Sequence, residues 1–349
     1  MNRSGKVPAL IYAVFLFAAL ASCEVFLGSD PGGSPREIFD TLWKDFDETY
    51  ALMDIRGIDW NGAYAKYAPQ IYSGMGDREL FDVCSGLLGV LDDPHVYLMA
   101  PFGYFNSGDR FGTDSVEPFE LALVKSGYLN GGGASAGDGL FLYGTFTSPH
   151  SDVGYIHIAG FAKGSTGTGQ SQDWTRDING IIDSLAGTKA IVLDVRGNRG
   201  GLQSNVDYIA GRFAGVKKDY VQVRTKDGPG GNDFSSPVTH TVTPAGTRYT
   251  KPVILITNRQ TISGGEWFTL ALRTQDHVIH TGSTTSGAFS LSLERPLVNG
   301  WIYSVSVQKV TDMAGTCYEK TGISPHAEHA AGVSGFTDDQ LDYALSLVP

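Results

Sequence analysis

Residues 190–201 read AIVLDVRGNRGG. The apolar, β-branched run from Ala190 to Val195 suits a strand buried on both faces, as strands of a parallel sheet are. It breaks into a corner with paired glycines, Gly200 and Gly201. Glycines after a buried strand present backbone N–H donors, or they simply make a tight turn. A dinucleotide-binding loop fits poorly, because G-x-G-x-x-G is absent. Working outward, VGYIHIAGF (153–161) is a second strand and Asp173 to Leu185 a helix. VILIT (253–257) is another strand, and a helical segment with Glu266, Trp267, Phe268, Leu270 and Leu272 follows it. WIYSVSVQKV (301–310) alternates like a half-buried strand. Strands alternating with helices predict a mostly parallel α/β sheet with its sites at the carboxyl ends of the strands.

The stretch ILITNRQTISGGEW (254–267) makes a second corner of this kind. Ser263 stands between strand and helix, followed by Gly264 and Gly265. Two readings are open there. A serine at a helix start commonly caps it. A strand-to-helix corner also exposes a hydroxyl and aims backbone N–H groups at the same point, where the helix dipole favours an oxyanion. Such a serine needs a base. The chain has eight histidines, and nothing local selects His95, in DDPHVY, over His157 or His277.

Upstream, Ile38, Phe39, Leu42, Trp43, Phe46 and Tyr50 recur at helical spacing behind Ser34 and Pro35. Further helices are expected at about 60–72 and from Asp77 to the LDDPHVYL segment, where Pro94 forbids continuation. Residues 100–150 are glycine-rich with short alternating pieces, FELALV and LFLYGTF, and suggest a small β-rich module. No internal repeat is visible.

The 349 residues carry a net charge of −11 and 42% hydrophobic and 18% charged residues. No basic stripe offsets the charge, which argues against a nucleic-acid partner. The N-terminus has Arg3 and Lys6 before an apolar run from Ala9 to Ala21, too short for a bilayer span and suited to a secretory signal. Its end, Leu20-Ala21-Ser22-Cys23, resembles the bacterial lipobox, which implies lipidation of Cys23 and an envelope location. The chain thus divides into a signal peptide over 1–22, a tether over 23–35, a helical module over 36–99, a β-rich module over 100–150 and an α/β core over 151–349. Cys84 and Cys317 remain as a candidate pair. No C-x-x-C or histidine cluster suggests a metal site.

LDDPHVYL, VGYIHIAGF, IVLDVRGNRGG, ITNRQTISGGEWFTLAL, GSTTSGAFS and CYEKTGISPH occur in this order. Together they resemble the S41 family of serine peptidases, relatives of C-terminal processing protease and tricorn protease. The likeness runs from about Ile38 to Leu347. It implies a crotonase-like (ClpP/crotonase) core behind an N-terminal helical module, with a reduced PDZ-like module over 100–150. It also implies a protein or peptide substrate, bound as an added strand, and no cofactor. One layout of the family pairs serine with lysine, and Ala288 stands where that lysine would be. The tricorn-like layout implies Ser263 as nucleophile, His95 as base and Glu319 as the acid that orients it, directly or through another group. Gly264 and either Gly200 or Gly201 would form the oxyanion hole. Pro94 replaces the serine often found before the histidine, Lys320 a glycine, and His326 an aspartate. The resemblance therefore also admits a weakly active or inactive peptide-binding lipoprotein. Acyl-CoA chemistry, which the core fold also hosts, fits poorly with export.

Overall fold

The computed structural model describes residues 33–109, 116–162, 174–334 and 337–349. The signal segment and Cys23 lie outside these residues. Helix α1 (Pro35–Thr49) opens on a capping box, in which the Ser34 hydroxyl and the Glu37 carboxylate each accept the other residue's backbone N–H. Such a cap contributes about 1 kcal/mol. Short α2 (Met53–Arg56) stops at Gly57, whose φ of 68° closes the turn. α3 (Trp60–Tyr67) and α4 (Asp77–Gly89) follow.

The chain continues through β1 (Tyr97–Ala100), β2 (Gly103–Asn106), β3 (Ala134–Ala136), β4 (Phe141–Thr145) and β5 (Val153–Ile158). Then come α5 (Asp177–Leu185), β6 (Ala190–Asp194), α6 (Gln203–Ala210), β7 (Lys218–Thr225), β8 (Val238–Val242) and β9 (Val253–Thr257). α7 (Gly264–Arg273), β10 (Val278–Gly282), β11 (Ser292–Pro296), β12 (Ile302–Ser306), β13 (Gln308–Asp312), β14 (Ala327–Glu328) and α8 (Asp339–Ser346) complete it.

The central sheet has the order β14-β10-β9-β6-β5-β4-β3. Strands β14, β10, β9, β6 and β5 pair in parallel, and β4 and β3 add antiparallel. β6 and β9 are buried along their whole length, as the opening stretch predicts. Ile191 and Leu193 face a core shared with α5, α6 and α7, while Val192, Ile254 and Ile256 face one shared with α8. Each such side chain contributes roughly 1.5–3 kcal/mol by leaving water.

The expected module over 100–150 is not separate. β1 and β2 belong to a second sheet of order β11-β12-β1-β2, in which β1 pairs with β12, and β3 and β4 lie at one edge of the central sheet. FELALV does not extend; Leu121–Leu123 is a helical turn that buries Leu123 and Val124. The helical module is likewise shared. Its core takes Leu297, Trp301, Tyr303, Val305 and Val307 from the far end of the chain. Cys84 and Cys317 do not pair; both are free thiols.

Candidate active site

The corner after β9 is stitched to the corner after β6. The Gly197 N–H donates to Asn258 Oδ1 (2.9 Å), the Thr261 hydroxyl to the Val195 carbonyl (2.8 Å), and the Ile262 N–H to the Asn198 carbonyl (3.1 Å). Ser263 is held at φ 57°, ψ −121°, backbone territory that suits glycine. Its hydroxyl makes no cap hydrogen bond. Glu266 reaches back instead, and its carboxylate accepts the Ser263 N–H at 3.1 Å. The same carboxylate accepts from the Thr285 hydroxyl and from the Gly287 and Ala288 N–H groups. Complete burial pushes it up to about 7 against those donors, which favour its ionised form.

The paired glycines divide their roles. The Gly200 N–H donates to Asn198 Oδ1 at 2.9 Å, so it is not available to a ligand. Among the described residues the Gly201 and Gly264 N–H groups have no acceptor. They lie close together, since a Cβ on Gly264 would sit 3.0 Å from the Gly201 nitrogen. A Cβ on Gly200 would meet the Ser263 Cβ at 2.7 Å. Glycine at position 200 therefore lets the two corners touch. Beside them opens a cavity of about 220 Å³ lined by Ser263, Trp267, Phe289, Leu291, Gln308 and His240. A second cavity, of about 370 Å³, lies at Glu48, Lys226 and Arg295 and includes no residue of these corners.

His95 follows the end of α4. Its backbone N–H donates to Asp93 Oδ1 at 2.9 Å, and its carbonyl accepts the Ser304 hydroxyl. Its Nδ1 is buried without a partner among the described residues. Burial lowers the pKa of the ring below the ordinary histidine value; Asp93 opposes this and Arg56 adds to it. His157 and His277, the other histidines considered as bases, each engage a backbone carbonyl, of Arg196 and Phe213. His326 takes a contact from Arg273 Nη2 at 2.9 Å.

Glu319 is buried, and no hydrogen bond among the described residues joins it to His95 or Ser263. Its Oε1 accepts the Phe289 and Ser290 N–H groups at 2.9 Å each. Its Oε2 accepts from Arg56 Nη2 at 3.1 Å. Burial, then the neighbouring Asp93 charge, push the Glu319 carboxyl up. Lys320, where the resemblance has glycine, adopts φ 68° and sends its ammonium to the Arg56 carbonyl. Sequence reasoning passed over Arg56, which bonds this carboxylate and faces Asp93, and over Tyr50 and Ser306, whose hydroxyls donate to Asp93. Only the LDDPHVYL segment carried any sign of Asp93.

A model of peptidase family S41 matches residues 152–329, more than half of the chain. A model of the tricorn protease C1 domain matches residues 31–89. Carboxy-terminal processing proteases CtpA and CtpB of Bacillus subtilis (strain 168) are 27% and 26% identical over 51% and 50% of this chain. The chain covers about a third of these relatives' length, 35% and 33%. The solved structure of a candidate peptidase from Parabacteroides merdae ATCC 43184 superposes with a TM-score of 0.77 at 26% identity, covering 91% of this chain and 97% of that one. Mature CPAF complexed with lactacystin matches at 0.62 with 13% identity, over 84% of this chain and 93% of its own. Tricorn protease matches at 0.55 with 15% identity, over 89% and 36%. At those identities the last two likenesses concern the fold.

Proposed function

The chain belongs to peptidase family S41, and from that premise we propose that it is a serine endopeptidase of the cell envelope that cleaves proteins or peptides through an acyl-enzyme. The observation that carries the reading is Ser263. At a strained strand-to-helix corner its hydroxyl stands beside the Gly201 and Gly264 N–H groups, all three without a hydrogen bond among the described residues.

In this mechanism the Ser263 oxygen attacks the scissile carbonyl and His95 takes its proton. The Gly201 and Gly264 N–H groups receive the oxyanion. His95 then protonates the departing amine, and water, deprotonated by His95, releases the acyl group. The lowered pKa keeps His95 neutral at pH 7 and so able to accept the serine proton. Glu319 acts at one remove, by fixing the Phe289–Ser290 wall of the cleft and engaging Arg56. The apolar wall formed by Trp267, Phe289 and Leu291 favours an apolar substrate side chain. A lipid anchor at Cys23 would hold the enzyme at a membrane.

The test is a fluorophosphonate probe on the full chain, with the adduct mapped by mass spectrometry. An adduct on Ser263 is expected, and none in Ser263→Ala or His95→Ala. Membrane fractionation tests the anchor: Cys23→Ala should release the protein, and unchanged retention counts against lipidation. One observation supports a second reading, a peptide-binding lipoprotein on a peptidase scaffold. No hydrogen bond joins Ser263 to His95 among the described residues. Absence of any adduct, even with unfolded peptide present, would decide for that reading.

A further inference from the structure

We propose that Arg56 is a positioning residue of the proton relay: from the helical module it holds the His95 loop and the Glu319-fixed wall of the Ser263 cleft in register. The inference rests on the serine-peptidase reading above. Arg56 is 3% exposed and sits in the four-residue helix α2. One arm of its guanidinium, Nη1, donates to the Asp92 carbonyl at 2.6 Å. The other arm, Nη2, donates to Glu319 Oε2 at 3.1 Å and to the Gly287 carbonyl at 3.3 Å. It also lies 3.9 Å from Asp93 Oδ1.

Each of these partners leads into the site. Asp93 accepts the His95 N–H, and Tyr50 and Ser306 hydroxyls fix its other oxygen. Glu319 carries the backbone of Phe289 and Ser290, which line the Ser263 cavity. Gly287 neighbours the Ala288 carbonyl that accepts the Ser263 N–H. One planar fork therefore spans the base loop and the cleft wall, a geometry that a lysine point charge does not reproduce. Its Nε is buried with no partner among the described residues. A buried cation that leaves a donor unsatisfied is a poor source of stability, which favours a positional role.

The charges give the role a signature. Asp93 and Arg56 face His95 with opposite effects on its pKa. Asp93, Tyr50 and Glu319 face Arg56, and Asp93 and Glu266 also face Glu319. The Lys320 ammonium rests on the Arg56 carbonyl. Removing the Arg56 charge while Asp93 stays makes His95 easier to protonate. The pH midpoint of Ser263 reactivity then rises.

The experiment follows the rate of fluorophosphonate labelling at Ser263 against pH in the full chain, with circular dichroism and urea midpoints to verify folding. Arg56→Lys is expected to fold and to label about tenfold or more slowly, as misplaced groups do. The double variant Arg56→Met/Glu319→Gln removes the cation together with the carboxylate it bonds directly, leaves Asp93 to its His95, Tyr50 and Ser306 donors, and is expected to shift the midpoint to higher pH. Wild-type rate in Arg56→Lys overturns the proposal. So does a folded double variant with the wild-type midpoint, however slow, because only a structural role remains. If the double variant fails to fold, the Arg56→Lys rate decides. A wild-type chain unlabelled at Ser263 fails the peptidase reading itself, and this inference falls with it.

Discussion

Ser263 occupies a conformation in which a side chain is a burden. Glycine adopts φ 57°, ψ −121° without the clash that a Cβ brings. Ser263→Gly should therefore stabilise the fold by about 1 kcal/mol in urea denaturation while ending all labelling. A stability unchanged or lowered would mean that the corner is not strained. His95 makes a second expectation at this scale. Its pKa lies below the ordinary 6.5, and only the neutral ring accepts the serine proton. The pH midpoint of labelling should lie below 6.5; a midpoint above 6.5 contradicts the desolvated ring. The serine and its two glycines were legible because strand, corner and helix adjoin in sequence. Arg56 was not. It carries no local signature, and its partners Asp92 and Glu319 lie 36 and 263 positions away.

At the level of elements, the two corners work as one part. Gly200 has φ 71° and leaves no room for a Cβ between itself, Ser263 and Gly264. Gly200→Ala should cost about 1–3 kcal/mol in urea midpoint and suppress labelling about a hundredfold. An active, equally stable variant would show that the corners need not touch. The buried strands β6 and β9 were legible from apolar runs alone. FELALV and the hairpin β3–β4 were not, because a short apolar run fits helix or strand equally. The strand that β4 joins, β5, begins at Val153, just outside the 100–150 window.

Across the whole molecule, the helical module and the core do not come apart. Trp301 packs edge-on against Phe81 and Phe102 at centroid distances of 5.6 and 6.0 Å. Asp45 of α1 accepts from Arg295 and from the Tyr303 hydroxyl. Trp301→Ala should cost about 3–5 kcal/mol, and fluorescence and circular dichroism should report one shared urea transition. Two separated transitions would mean independent domains. The likeness in motif order revealed the α/β core, whereas the shared core of module and β12 arises from contacts that no spacing records. The helices made first during synthesis wait for strands near residue 300 before their core closes. Ser263, His95 and Glu319, the residues proposed for the chemistry, lie on segments whose packing is complete only then. A nascent chain that stops short of Gln308 lacks part of the wall beside Ser263, so the proposed hydrolysis is confined to the finished fold.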